Sequence, residues 1–223
     1  MRWYNAVNLG LLITIWIIIL PKYRSILKAR KFWLFFFFIY TLTEFLGMYF
    51  SIQHQRNLWL YSISKPIQFL LILIYLFKLL SVSHKKLLVA SIFWVAISLA
   101  FLLSKMLLDS FHSLEFSIHE AIIVSVCALY FKKIIENEEP VDLGLTEFWF
   151  CSSLFIWFGT NLLINGSMDF LLQSNMRLAQ KLFYGLVVSS YLFYGITIFA
   201  LVKTQSTNHQ NNGWEILLHN NCH

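Results

Sequence analysis

Long apolar runs alternate with short polar segments along this chain, and the alternation repeats seven times. The clearest runs are Asn8 to Leu20, Phe32 to Phe50, Leu58 to Leu80, Leu87 to Leu103, Phe116 to Ile135, Phe148 to Ile164 and Leu182 to Leu201. A hydrocarbon core of about 30 Å needs about 20 mostly apolar residues per helix. The pattern therefore predicts an all-α, polytopic membrane protein, a seven-transmembrane-helix bundle filling residues 1–203. The expected spans are about 4–20, 32–51, 58–80, 86–104, 116–135, 147–165 and 181–202. Short connections make consecutive helices expected antiparallel neighbours. Residues 204–223 read as a polar, Asn- and His-rich tail, flexible apart from a short turn at Trp214 to Leu218. No internal repeat is evident, which weakens transporter folds built by duplication.

The first run is short and follows Arg2, as a signal peptide would. However, Pro21-Lys22-Tyr23-Arg24 comes after it without a small-x-small cleavage site, so it reads as a helix.

Composition narrows the classes. Hydrophobic residues make up 58% of the chain and charged residues 13%, which leaves no large soluble domain. A net charge of +6 in a soluble protein would point to nucleic acid. Here the basic residues gather at helix ends, where they report orientation and not a nucleic-acid partner. With the N-terminus outside, eleven of the seventeen Lys and Arg lie in cytoplasmic segments, five of them between Pro21 and Lys31. The positive-inside rule then gives N-terminus out and C-terminus in, as a multi-pass protein of a bacterial inner membrane. Trp3, Trp33, Trp59 and Trp149 fall near span ends, as an aromatic belt would place them. Cys127, Cys151 and Cys222 form no CxxC pair and no disulfide framework. The sequence has no Gly-rich phosphate loop, G-x-S-x-G elbow or H-E-x-x-H motif, so no cofactor is expected.

Ionisable groups at membrane depth are costly and mark candidate sites. Glu44 in the second span and Lys65 in the third each lie about seven residues from the outer surface. At 1.5 Å per residue that is roughly 10 Å deep. Facing each other, they form either a helix–helix clamp or one wall of a polar site. Pro66 frees a backbone carbonyl one turn earlier, beside Lys65. Gln68 lies one turn below Lys65. His119 and Glu120 begin the fifth span, Asn161 and Asn165 end the sixth, and Asn5 and Asn8 lie at the outer end of the first. The inner halves are nearly pure Leu, Ile, Phe and Val. This asymmetry predicts a pocket open to the outside and not a through-channel. The outer segments from Ser104 to Ser117 and from Asn165 to Lys181 are long enough to cover its mouth.

On the cytoplasmic side, Lys132-Lys133 is followed by Glu136, Glu138, Glu139 and Asp142 around Pro140. This acidic loop is either a solvated face or, with Arg24 and Arg30 of the first loop, a contact for a partner. Two His clusters have ligand-like spacing, His112/Glu115/His119 and His219/Cys222/His223. The first begins in an expected loop and the second lies in the tail, so neither is assigned a metal.

The third span reads Asn57-Leu-Trp-Leu-Tyr61-Ser-Ile-Ser-Lys-Pro66-Ile67-Gln68-Phe69. Further on come Tyr130-Phe131, Glu139-Pro140, Leu143 and Glu147-Phe148-Trp149-Phe150. Over essentially its whole length the chain resembles a family of small, uncharacterised seven-helix membrane proteins of Bacteroidota, often encoded beside sensor histidine kinases. The family's acid early in helix five is matched by Glu120. Its acid after the Pro-hydrophobic pair of helix three is replaced here by Gln68, which removes any shared acidic pair. The resemblance implies an association with signalling and no assigned activity.

Three functions compete. The leading one is a non-enzymatic membrane sensor or accessory module. In it a small molecule or lipid enters the outer pocket, and a cytoplasmic partner such as a histidine kinase reads the helix movement. A small-molecule transporter would need a polar path to the inner surface. An intramembrane lipid enzyme of the zinc type would need several buried His with Asp and Ser at mid-span. Retinal chemistry is disfavoured because helix seven has no central Lys; Lys181 lies at its outer end.

Overall fold

The computed structural model describes residues 3–20, 30–54, 58–108, 113–136 and 146–220. These form seven helices and no strand: α1 (Trp3–Ile19), α2 (Arg30–Ile52), α3 (Leu58–Leu79), α4 (His84–Leu108), α5 (Ser113–Glu136), α6 (Thr146–Ser174) and α7 (Met176–Asn220). Four segments are long and apolar enough to cross a bilayer: Trp33–Ile52, Trp59–Leu79, Thr146–Met168 and Met176–Val202. Large apolar side chains on them face outward, among them Leu163, 77% exposed, and Phe35, 58% exposed. In water such a surface would aggregate; in lipid it costs nothing. The chain is a multi-pass membrane protein.

Six helices close into a ring in the order α1, α2, α3, α5, α6, α7, and α7 packs back on α1. α4 stands outside this ring on α3. Consecutive helices are therefore not always neighbours, since α3 reaches α5 directly. The cause lies in α4 itself, whose Leu88, Val89, Ile92, Phe93, Val95 and Leu99 are all exposed. Among its described side chains only Trp94 and Ser98, one turn apart, are buried.

The core is an aromatic plug in the half of the ring holding the start of α2 and the end of α3. Phe37 stacks on Phe193 at 5.8 Å, and Phe193 on Trp157 at 4.4 Å. Phe150 meets Trp33 at 4.9 Å and Tyr75 at 5.4 Å. Offset and edge-to-face pairs of this kind add to simple burial. Trp33 is thus a core residue, 3% exposed, and not part of an interfacial belt. Its place near a span end could not reveal that it points into the ring. Trp59, 54% exposed, does face outward.

Two expected irregular segments are helical. The connection expected from Asn165 to Lys181 shrinks to Asn175, with α6 running on to Ser174. Its polar residues suit a helix because Ser167 and Ser174 donate to the carbonyls of Leu163 (3.0 Å) and Phe170 (2.8 Å). Asn175 caps α7, its side-chain oxygen accepting the Leu178 N–H at 3.1 Å. The tail expected to be flexible is likewise helical to Asn220. It contains no Pro, and a helix already nucleated in α7 propagates at low cost. At 45 residues α7 is about 68 Å long, more than twice a bilayer core.

Arg24, His112, Glu138, Glu139, Asp142, Cys222 and His223 lie outside the described residues. Arg30 opens α2 and Glu136 closes α5, where Glu136 pairs with Lys132 at 3.5 Å on an exposed face.

Candidate functional site

Polar side chains cross the ring at one level, in the half opposite the plug. The first group lies between α1, α2 and α3. A cavity of about 90 Å³ is lined there by Asn8, Leu9, Glu44, Gly47, Met48, Ser51 and Tyr61. Glu44 and Ser51 are two turns apart on α2, with Gly47 between them, so one stripe of that helix forms the wall. Gly47 is present for contact: a Cβ there would fall 2.5 Å from the Tyr61 hydroxyl oxygen. The missing side chain lets Tyr61 of α3 reach α2 beside Glu44. No described residue hydrogen bonds to the Glu44 carboxylate, and the buried Oδ1 of Asn8 also lacks a hydrogen-bond partner. One turn below Glu44, Tyr40 accepts a 2.9 Å hydrogen bond from the Tyr194 hydroxyl of α7. That pair closes the group toward the aromatic plug.

The second group lies between α3, α4, α5 and α6. Glu120 is fully buried, and its Oε1 accepts from Asn165 Nδ2 at 2.8 Å. Its Oε2 is buried without a hydrogen-bond partner. His119, 1% exposed, stacks on Trp94 at 4.3 Å and lies 3.4 Å from the Ser98 hydroxyl. These contacts tie α4 to α5. Trp94 in turn donates to the carbonyl of Pro66 at 3.2 Å.

Lys65 joins the two groups. It stands one turn below Tyr61 on α3, with its Nζ 5.2 Å from the centre of the Phe116 ring of α5. Phe116 is itself one turn before Glu120. The ammonium lies within electrostatic reach of both Glu44 and Glu120 and in direct ion-pair contact with neither. Glu44 and Lys65 therefore do not form a tight clamp; the lysine sits between two carboxylates.

Gln68 and Asn161 are engaged elsewhere. Gln68 donates to the Thr43 hydroxyl at 3.2 Å, a buried α2–α3 link below the cavity. Asn161 accepts from Ser189 at 3.3 Å, which fastens α6 to α7. Both are buried helix–helix fasteners of the type membrane bundles use. Among the described residues, no three of His, Cys, Asp and Glu come together as metal ligands. Tyr61, Gly47, Ser51 and Ser98 belong to these groups and were not picked out from the sequence. A glycine and a tyrosine at matching depth in antiparallel neighbours is the one signal that could have revealed the first two.

No family model matches the chain, and no curated protein and no solved structure is similar to it.

Proposed function

We propose that this chain is a seven-span sensor or accessory signalling module of a bacterial inner membrane, N-terminus out and C-terminus in. A small ligand enters the outward-facing polar level, and a cytoplasmic partner reads the resulting helix movement. The observation that carries this function is the one-sided distribution of polarity. The cavity at Glu44 and the groups around Lys65 and Glu120 occupy one half of the ring. The stacked rings of Phe37, Phe193, Trp157, Phe150 and Trp33 close the other. A site that is wet at one end and packed shut at the other binds without conducting.

The basic segment with Arg24 and Arg30 and the acidic segment from Glu136 to Asp142 are the proposed partner contacts. The resemblance to proteins encoded beside histidine kinases makes such a kinase the first partner to seek. Gentle extraction should copurify a membrane partner with the wild-type chain, and neutralising both segments should release it. Recovery of the chain alone, with an unchanged cellular response after neutralisation, would sink the proposal. A transporter would need the polar level to continue through the plug. Uptake into proteoliposomes that disappears in Glu44→Gln would reverse this ranking.

A further inference from the structure

The cavity beside Glu44 has a lining chemistry that specifies its ligand. Its side-chain oxygens are the Glu44 carboxylate, the unpartnered Asn8 Oδ1 and the hydroxyls of Ser51 and Tyr61. Beside them stand only the Asn8 amide nitrogen and the Met48 thioether, and among the described residues no Lys or Arg side chain lines the cavity. Its volume of about 90 Å³ admits an inorganic ion with a few waters, or a small alkylammonium. Hard cations take oxygen ligands of this type.

The charge balance around Lys65 independently points to a cation. Two carboxylates, Glu44 and Glu120, share one ammonium that touches neither. Glu115, one turn before His119, is buried and engaged in contacts of its own. Counting these three groups alone, two ionised acids against one ammonium leave one negative charge at membrane depth, where that is expensive. A single positive charge restores neutrality, and a divalent ion would overshoot. The fully buried, unpartnered Glu120 Oε2 marks where the ammonium would go once it is no longer needed at Glu44.

We propose that the cavity between α1, α2 and α3 binds a small monovalent cation with Glu44 as counter-ion, and that its arrival releases Lys65 toward Glu120. This rests on the sensor function above and deepens it. The ligand enters at α1 and α2, the lysine on α3 swings, and the change reaches α5 and α6 through Glu120 and Asn165. Among the described residues no other Lys or Arg is placed between the two acids, so Lys65 is the coupling element.

Thermal unfolding of the full chain in lipid nanodiscs, at constant ionic strength, tests this directly. Sodium, potassium, ammonium and methylammonium chlorides are titrated against tetrapropylammonium chloride, which is too bulky for the cavity. At least one small cation should raise the midpoint saturably, and tetrapropylammonium should not. Glu44→Gln should weaken the apparent affinity by about tenfold or more. Lys65→Gln should tighten it, because the internal competitor is gone. Glu120→Gln should weaken it, because Lys65 then belongs to Glu44 alone. A merely structural cluster would shift all three variants in one direction, and that result overturns the proposal. Should a variant fail to fold, the wild-type series decides: equal midpoints in all five salts overturn it. Neither outcome touches the copurification test, so a failed cation site and a failed sensor function are told apart.

Discussion

The approach of Tyr61 to Gly47 decides the shape of the site at the level of single residues. A helical Gly→Ala exchange ordinarily stabilises by roughly 0.5–1 kcal/mol. At position 47 the new Cβ would lie 2.5 Å from the Tyr61 hydroxyl, so the ring or the α2–α3 spacing must yield. Gly47→Ala should therefore cost about 1–3 kcal/mol, seen as a lower unfolding midpoint in detergent. An unchanged or higher midpoint would mean that Tyr61 is free to swing away. The Tyr194–Tyr40 hydrogen bond is a second single-residue case. Bonds of this kind within membrane bundles average about 0.6 kcal/mol and reach about 1.7. Tyr40→Phe should cost that amount alone, and almost nothing on a Tyr194→Phe background. Equal costs on both backgrounds would show that the hydroxyl serves something other than its partner.

Among the elements, the end of α3 shows how one helix is stopped and held by another. Ser81 adopts φ 58°, a left-handed conformation that usually belongs to glycine. Its N–H bonds the Lys78 carbonyl at 3.1 Å, and the Val82 N–H bonds that of Phe77 at 3.0 Å, which completes a Schellman turn. Lys133 of α5 then reaches the Leu79 carbonyl at 3.3 Å and the Ser81 hydroxyl at 3.4 Å. A cation at the carbonyl end of a helix is favourable both as a donor and against the helix dipole. Ser81→Gly should raise stability by about 0.5–1 kcal/mol, since the relief of left-handed strain outweighs one long hydrogen bond. A fall in stability would make the Ser81–Lys133 contact the stronger term. α4 is the opposite case. Held by α3 and by the Trp94 and Ser98 contacts with His119, it should be less protected in hydrogen exchange than the ring helices. Protection of α4 equal to that of α6 would contradict its peripheral place.

For the whole molecule, orientation is the quantity most open to measurement. With the N-terminus out and seven spans, a fluorescent protein fused after His223 should mature in the cytoplasm. An alkaline phosphatase fused after Ile52 should be active outside, and one fused after Leu80 should be silent. An active phosphatase after Leu80 would invert the proposed orientation and move the polar level to the cytoplasmic half. The length of α7, about 68 Å, adds a constraint, because a straight helix of that length must leave the bilayer.

Seven helices and the apolar, membrane-crossing length of several of them were legible in the sequence, as was the position of Glu44, Lys65 and Glu120 along their helices. Apolar run length is a property of the chain alone, and depth follows from counting 1.5 Å steps from a helix end. The limits of α6 and α7 were less legible, because serines bonded back to their own helix look like loop residues. Which polar groups meet was not legible at all. Two residues at one depth can face each other or face away, and only the rotation of each helix in the ring decides. That rotation separated Gln68 and Asn161 from the site, admitted Tyr61 through Gly47 and turned Trp33 inward. It also set Lys65 between two acids, because α4 stands aside and lets α3 pack on α5. The sequence alone determined the helices, their apolar length and the place of each charge along them. The partners of those charges come from side-chain packing around a closed ring, which no local pattern encodes.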